Sequence, residues 1–516
     1  MVSIKVRPLP SPNSHRRELF AASEKIRSLG FSRVAILLVL VLMMLPAAAR
    51  VWAAKPPPPP STSSYFARAY SVPYSYSVAE SISQASSGGF AVGALCTAGA
   101  MTTPNCNLNS PATVLRVDGS GNIQSQTQYS YGNGPQSTAL NILKATSDGG
   151  AIFAGQPQSG CPAQNLNNCG LIVKVDSTGN VQWANDLLFA TNAAPYSSPI
   201  TWPFDIQQTN DGGFVLVGYA IAPGENYNPW IAKLSSTGQL QWTHVFADPN
   251  SDYSVAYSVR QTADGGYVVG GEVSYAVTSS YTEAEITVFK LDSTGALVWQ
   301  RDFAAGVDAY FLSLALTSDG GAIVTGTVDT QTASSYTSSV LLMKLDATGN
   351  TQFAQTILPS GDISDLYIVG VQQTTDGGYA FAGYYFQNTV YTERAWLVKT
   401  DAAGKIQWNK IYGPDVQYSD RYFHSFQQTS DGGFVAAGSI NQSNYNSIWL
   451  VKTDGNGDIS NCTTDVNNDS AQTAAIAVTV SKGNLSAVED DVYYAADSLI
   501  LSSAPLAATK ECSSRM

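Results

Sequence analysis

Histidine, cysteine and charge are all scarce in this chain of 516 residues. It has three histidines and six cysteines, and only 13% of its residues are charged. Each shortage removes a class of function. Past the first 54 residues only His244 and His424 remain, far apart in the chain, so neither a multi-histidine metal centre nor a Ser-His-Asp triad is written here. No Cys-x-x-Cys spacing occurs, which argues against a thiolate zinc site. Residues 1–54 hold eight Lys/Arg and two Asp/Glu, leaving 19 basic against 37 acidic residues in the remainder, a net charge of −18. Such a surface repels phosphate backbones and anionic lipid, so nucleic acid is not an expected partner.

A membrane-length apolar run is missing too. The run from Val34 to Leu45 has 12 residues, short of the roughly 20 that a bilayer span needs. A basic stretch with Arg16, Arg17, Lys25, Arg27 and Arg33 precedes it, and Pro46 and small residues close it. That order predicts a secretory signal over residues 1–54 and a secreted, periplasmic or cell-surface location, with an uncleaved anchor as the alternative. Residues 55–64, with Pro56 to Pro60, read as a stiff linker. The even cysteine count suits an oxidising compartment. Cys96 and Cys106 share one loop, Cys161 and Cys169 another, and Cys462 and Cys512 bracket the C-terminal tail, so three disulfides are expected.

What the chain has in abundance is a repeat. A Gly-Gly turn flanked by apolar residues occurs at Gly88, Gly149, Gly212, Gly265, Gly320, Gly377 and Gly432, and the last six copies read Thr-x-Asp-Gly-Gly. Each is followed by a second element, as in Lys290-x-Asp292-x-x-Gly295-x-x-x-Trp299. A unit therefore reads as strand, Asp-Gly-Gly turn, strand, variable loop, strand, Asp-x-x-Gly turn, strand. Four antiparallel strands per unit and seven units predict an all-β fold, a seven-bladed β-propeller over residues 65–461. Trp183, Trp242, Trp299 and Trp408 recur on the fourth strand and read as core between blades. The seventh unit lacks that strand, and the segment Tyr65 to Ser71 is the expected substitute, closing the ring from the N-terminus. Residues 462–516 lack the repeat. Their alternating stretches, residues 476–480 and 498–501, read as a small disulfide-tied hairpin or a loose tail.

Antiparallel order puts the two regular turns on one rim and the variable 2–3 loops and 4–1 links on the other, where binding is expected. Candidate ligand-binding residues on that second rim are Trp202, Asp252, Tyr253, Asp308, Tyr310, Asp365, Tyr367, Asp420, Arg421 and Tyr422. Capping of the first strand is the competing role for them. A glycan, a peptide or a surface protein would suit such a face. A monomeric, non-catalytic binding scaffold is the expected function; the alternative is an enzyme, either a glycan hydrolase or lyase or a quinone-dependent dehydrogenase, using acids at the channel mouth. No firm cofactor is indicated. Calcium is offered only by Asp454, Asn456 and Asp458 and by Asp465, Asn467 and Asp469, and neither group has the Gly and Glu that complete a calcium loop.

The motifs Asp264 to Gly271 and Asp431 to Gly438 (Asp-Gly-Gly-aromatic-x-x-x-Gly), with Lys290 to Trp299 and Lys399 to Trp408, resemble the secreted Asp-Gly-Gly repeat propellers of bacteria and archaea. The resemblance spans about 400 residues, with Ser87 in place of Asp in the first copy. It implies an extracytoplasmic propeller of a kind often appended to cell-surface proteins, most of them without an assigned activity. Quinoprotein repeats and sialidase Asp-boxes are similar only in part, because their Asp-to-Gly spacing differs.

Overall fold

The computed structural model describes residues 65–510 except 72–74, 86–87, 99–111, 132–137, 158–169, 191–199, 222–226, 249, 252, 279–280, 332–335, 414–415, 443–444, 460–465, 482–485, 489–490, 497–498 and 503–506. Among the described residues every regular element is a strand, and no helix is long and apolar enough to cross a membrane. The five expected disulfide cysteines other than Cys96, and the side chain of Cys96, lie outside the described residues, as do the signal and linker segments.

The strands form repeated four-stranded antiparallel units. Unit one comprises Ser75–Gln84, Phe90–Ala98, Ala112–Val117 and Ile123–Tyr131; unit two Thr138–Ala145, Ala151–Pro157, Gly170–Val175 and Val181–Ala190. Unit three comprises Ile200–Gln208, Phe214–Ile221, Tyr227–Leu234 and Leu240–Ala247; unit four Tyr253–Gln261, Tyr267–Thr278, Tyr281–Leu291 and Leu297–Ala304. Unit five comprises Asp308–Leu316, Ala322–Gln331, Tyr336–Leu345 and Thr351–Leu358; unit six Ile363–Gln373, Tyr379–Gln387, Thr392–Thr400 and Ile406–Tyr412. Unit seven pairs Arg421–Gln428, Phe434–Gln442 and Tyr445–Thr453 with Phe66–Ser71, so that Phe66 stands opposite Lys452 and Tyr70 opposite Ile448. A single parallel bridge, Tyr227 to Tyr253, joins units three and four into one sheet. This all-β architecture is consistent with a propeller-like fold.

Turn chemistry explains the sequence repeat. In the second unit Gly149 sits at φ +81°, where a side chain is strained, and its N–H bonds the Thr146 carbonyl at 3.0 Å. Gly150 is needed for a different reason: a Cβ there would lie 2.1 Å from the Val175 carbonyl oxygen of the third strand. Asp148 accepts from Thr146 Oγ1 (2.5 Å), Gly150 N (3.0 Å) and Lys174 Nζ (2.7 Å). The Asp–Lys pair recurs in units two to seven, so the motif clamps the first hairpin to the third strand.

Neighbouring units are fastened at both ends of this rim. The side-chain carbonyl of a glutamine closing the first strand accepts from a turn N–H of the preceding unit: Gln208 from Ser147 N (2.8 Å), Gln373 from Ser318 N (2.7 Å), and Gln84 from Ser430 N (2.9 Å). Further out, an aromatic ring of the fourth strand lies over the Asp-x-x-Gly glycine of the following unit. A Cβ on Gly238 would meet Trp183 at 2.7 Å, one on Gly349 would meet Trp299 at 2.8 Å, and one on Gly457 would meet Trp408 at 2.8 Å. Phe66 takes this place over Gly121 of unit one, at 2.7 Å. One core cluster accordingly mixes Phe66, Tyr70, Val435, Ile448 and Leu450 with Ile82, Phe90, Val92 and Leu115. Trp183, Trp242, Trp299 and Trp408, expected as core between blades, are partly buried and pack against the core clusters with their rings at the seam between two units.

The tail departs from the expected hairpin. Its stretches at 476–480 and 498–501 do not pair with each other; they join different units. Seven short strands run in order along the outer edges: Val466–Asn468 on unit six, Gln472–Ala475 on five, Thr479–Ser481 on four, Ser486–Val488 on three, Asp491–Ala496 on two, Leu499–Ser502 on one and Ala507–Lys510 on seven. An alternating segment fits any free sheet edge, and sequence pattern alone does not say which edge it finds.

The seam can be tested with two alanines. Gly265→Ala introduces φ strain with nothing nearer than 3.8 Å (φ +84°), whereas Gly238→Ala adds the clash with Trp183 at similar φ (+81°). Urea denaturation should show a loss of about 1–2 kcal/mol for the first and a clearly larger loss for the second. Equal losses would show that the ring-over-glycine contact is not stabilising the seam.

Candidate ligand-binding site

The first strands of all seven units contribute to one cavity of about 420 Å³, through residues that include Ser83, Lys144, Gln207, Arg260, Ala315, Gln372 and Gln427. One step toward the loop rim, each of these strands breaks register. The shift falls at Glu80, Asn141, Phe204, Tyr257, Leu312, Val369 and His424, at the same place ahead of each Gly-Gly turn. A β-bulge re-aims a side chain away from the alternation of its strand. The bulged side chains described are partly exposed, and two neighbouring pairs approach each other, Phe204 with Tyr257 and Glu80 with His424.

Their chemistry divides into two sectors. In units three to five the rings form an unbroken chain. Phe204 and Tyr257 are 4.8 Å apart, and Tyr257 stacks on Phe311 at 6.3 Å. Tyr219 lies 5.7 Å from Phe204 and 4.9 Å from Tyr227, which lies 5.1 Å from Tyr253. The Tyr253 and Tyr257 hydroxyls bond at 3.0 Å. Burial raises the Tyr253 and Tyr257 phenols and that of Tyr219 to about 12, and holds the adjoining Glu272 up at about 7, with Asp308 adding to it.

The second sector spans units six, seven and one. His424 Nδ1 lies 3.9 Å from Glu80 Oε2. Burial moves the two in opposite directions, Glu80 up to about 7 and His424 down to about 4. Tyr384 and Tyr422 flank the imidazole at 5.9 and 6.0 Å, and Tyr367 stacks on Tyr384 at 5.0 Å. Glu393 is also held up at about 7, by burial and then by Asp420 and Asp365, and its Oε2 is buried without a partner among the described residues.

The residues expected from sequence separate into two groups. Trp202 (6.5 Å from Tyr219), Tyr253, Tyr367 and Tyr422 belong to the two aromatic sectors, and Tyr310 stands half-buried on the first strand of unit five. The aspartates do other work. Asp308 accepts from Ala284 N at 3.0 Å, and Asp420 from Glu393 N at 3.1 Å and Thr392 Oγ1 at 3.2 Å, tying each link to the third strand of the preceding unit. Arg421 is buried, donates to Ser419 and lies 5.7 Å over Trp449. Asp365 is exposed at φ +48°, and Asp252 falls outside the described residues. Of the calcium candidates, Asp454 Oδ1 closes its own turn through Asn456 N and Asp458 N, Asp458 pairs with Lys410, and Asp469 bonds Ser360. Asp465 lies outside the described residues, and Asn467 is in a strand opposite Ile411. Among the described residues no group of three His, Cys, Asp or Glu is placed to hold a metal.

Sequence reading missed Glu80, Phe204, Tyr257, Glu272, Tyr384, Glu393 and His424. A usable signal existed for the bulged positions, since they align in one column once the repeats are superposed on their turns.

No family model matches the chain, and no curated protein matches it. Among solved structures it is similar to one described as the polysaccharide lyase Uly1, with a TM-score of 0.43 and 11% identity, covering 73% of this chain and 90% of that one.

The titrations have a net sign. Hydrogen bonds from Lys290 and Thr262 lower Asp264 to about 2, so its contribution is present above pH 3.8 and lost only as pH falls through 2. Glu80, Glu272, Glu285 and Glu393, each raised to about 7, contribute stability that is full below pH 4.5 and lost as pH rises through 7. His424, lowered to about 4, contributes above pH 6.5 and loses it as pH falls through 4. Four groups outweigh one, so the thermal midpoint should be higher at pH 5 than at pH 7.5. Calorimetry at both pH values checks this, and an equal or reversed order would contradict the assignment.

Proposed function

We propose that this chain is an exported seven-bladed propeller of the Asp-Gly-Gly repeat type, closed by Phe66–Ser71, whose loop rim binds a glycan. The observation that carries the reading is the chain of rings from Trp202 through Tyr219, Tyr227 and Tyr253 to Tyr257 and Phe311. Flat rings edged by carboxyls and phenols match a sugar, which offers C–H faces for stacking and hydroxyls for hydrogen bonds. Tyr227 and Tyr367 remain 38% and 47% exposed, so each sector presents a ring to solvent. Closure is supported by the cavity that all seven inner strands line and by Ile82 N and Gln84 N donating to Ser425 Oγ and Gln427 Oε1 at 3.2 and 3.0 Å.

A second reading rests on the Glu80–His424 pair. Between pH 4 and 7 the shifted values leave a protonated carboxyl beside a neutral imidazole, one proton donor and one acceptor at the rim of the channel, which is the division general acid–base chemistry requires. Under this reading the rim turns a bound glycan over.

A glycan array followed by calorimetry separates these. Tyr227→Ala and Tyr367→Ala should each weaken the best hit at least tenfold, while Val298→Ala, an exposed residue beside an Asp-x-x-Gly turn, should leave it unchanged. Silence across neutral and acidic glycans would overturn the binding reading. For catalysis, Glu80→Gln should abolish product formation by mass spectrometry and retain binding; a wild type that releases no product removes the second reading.

The tail adds a proposal of its own. Its strands begin on unit six at Val466 and end on unit seven at Lys510, and these units share a core through Leu397, Tyr412, Phe423 and Trp449. Cys462 and Cys512 flank those two ends in sequence. A Cys462–Cys512 disulfide would fasten the strap to itself, contributing about 4 kcal/mol by loop-closure entropy. Cys462→Ser should lower the thermal midpoint of the unreduced protein, whereas after full reduction the variant and the wild type should melt alike. If peptide mapping finds both thiols free, the strap has no covalent fastening.

A further inference from the structure

Deeper in the channel than the aromatic rim lies a group of charges that glycan stacking does not use. Asp205 follows the bulge of unit three and is buried. The equivalent position in unit seven is Ser425, which accepts from the backbone N–H of Ile82 in the adjacent unit. Asp205 does the same job toward unit four, accepting from Val259 N at 3.1 Å and Ser258 Oγ at 3.3 Å. Its carboxylate is therefore a fastening between units. Replacing a serine by an aspartate puts a charge in the wall, and two cations answer it: Arg260 pairs with it directly, and Lys144 stands 3.9 Å away.

Lys144 and Arg260 occupy matching places on units two and four, either side of Gln207, and all three line the 420 Å³ cavity. Two positive charges face one carboxylate already spent on backbone and side-chain bonds, which leaves an excess of one. The rest of the layer is rich in donors as well. Gln207 and Gln427 give their carbonyl oxygens to Gln261 N (2.8 Å) and Gln84 N (3.0 Å), so the amide NH2 groups are the ends left for the cavity. Ser83, Ala315 and Gln372 hold the matching places on the other three units.

We infer that the channel holds a compact oxyanion between Lys144, Arg260 and the amide groups of Gln207 and Gln427. The chain as a whole is acidic, so this pocket is a local reversal of sign, and low-dielectric walls strengthen such a field. The oxyanion is a carboxylate, sulfate or phosphate, either free or as the acidic substituent of a glycan entering from the rim.

Isothermal titration of the full exported protein with phosphate, sulfate and acetate, at constant ionic strength in chloride, tests the site. Saturable binding is expected, with thermal stabilisation that follows the occupancy. Lys144→Gln keeps the Asp205–Arg260 pair and should weaken binding at least tenfold while leaving the midpoint in chloride unchanged. Gln427→Glu keeps an acceptor for Gln84 N but adds a negative charge to the ring, and should abolish binding. No saturable heat above chloride, or wild-type affinity in both variants, would overturn the inference. Competition then assigns the source. Displacement of phosphate by a uronate or sulfated oligosaccharide, but not by a neutral one, marks a glycan substituent, and failure of both to displace it marks a free anion. Because neutral-glycan binding at the rim does not need Lys144, failure of the glycan reading leaves this test intact.

Discussion

A ring laid over a glycine at six of the seven seams is the contact on which the rest of this structure depends; between units one and two, Thr127 and the Tyr129 hydroxyl lie over Gly179 instead. One four-stranded sheet has two apolar faces and cannot bury both. Each must be covered by a neighbour, and the fourth-strand aromatic reaching over the following Asp-x-x-Gly turn sets how closely the neighbour sits. The glycine is confined twice, by its positive φ and by the ring that occupies the place of its Cβ, as Gly238 under Trp183 shows. Hydroxyl and amide groups of the same strand add fixed bonds to that turn: Tyr129 to Gly179 O at 2.8 Å, Tyr412 to Gly457 O at 2.8 Å, and Tyr70 to Gly121 O at 2.6 Å. The last comes from the N-terminal strand, so the seam between units seven and one has the same parts as the others.

Stacking of this kind leaves the outer edge of every sheet unpaired, and unpaired edges recruit other chains. The tail answers that by laying a short strand on each. These strands are three to six residues long and lie on different units, so none could stand alone. Their order, running back from unit six to unit one and then to unit seven, is what a strap around the circumference would follow.

Most of the fold was legible in the sequence because its determinants are local. Gly-Gly and Asp-x-x-Gly turns fix hairpins through φ and through hydrogen bonds two residues away, and a strand boundary follows directly. The pairing of Phe66–Ser71 with Tyr445–Thr453 likewise answers to a fourth strand missing from the seventh unit. The tail reads from sequence as either a hairpin or a loose tail, and its strands pair with different units, because alternation specifies a strand and not its partner. The site was half legible. Tyr253, Tyr367 and Tyr422 stand out as aromatics beside variable links, but Glu80 and His424 are 344 positions apart and meet only when unit seven lies against unit one. Asp308 and Asp420 were equally visible as acids, and their use as caps depends on an N–H of the preceding unit that no local pattern reveals.

The bulge explains how one repeat can serve both ends. A regular strand alternates core and channel, and changing a channel residue by shifting register would turn its core residues outward. Adding one residue instead leaves the pairing on both sides intact and gives each unit a partly exposed position at the shift, where Tyr257, Leu312 and Val369 also pack against the core clusters. That position holds Glu, Phe, Tyr, Leu, Val and His in six of the units, while the turn beyond it hardly varies among them. An acid–base pair can therefore occupy one arc and an aromatic wall the other without disturbing a single seam. The units differ in chemistry at the bulge column, and the Asp-Gly-Gly turn that announces the repeat fixes the hairpin beside it.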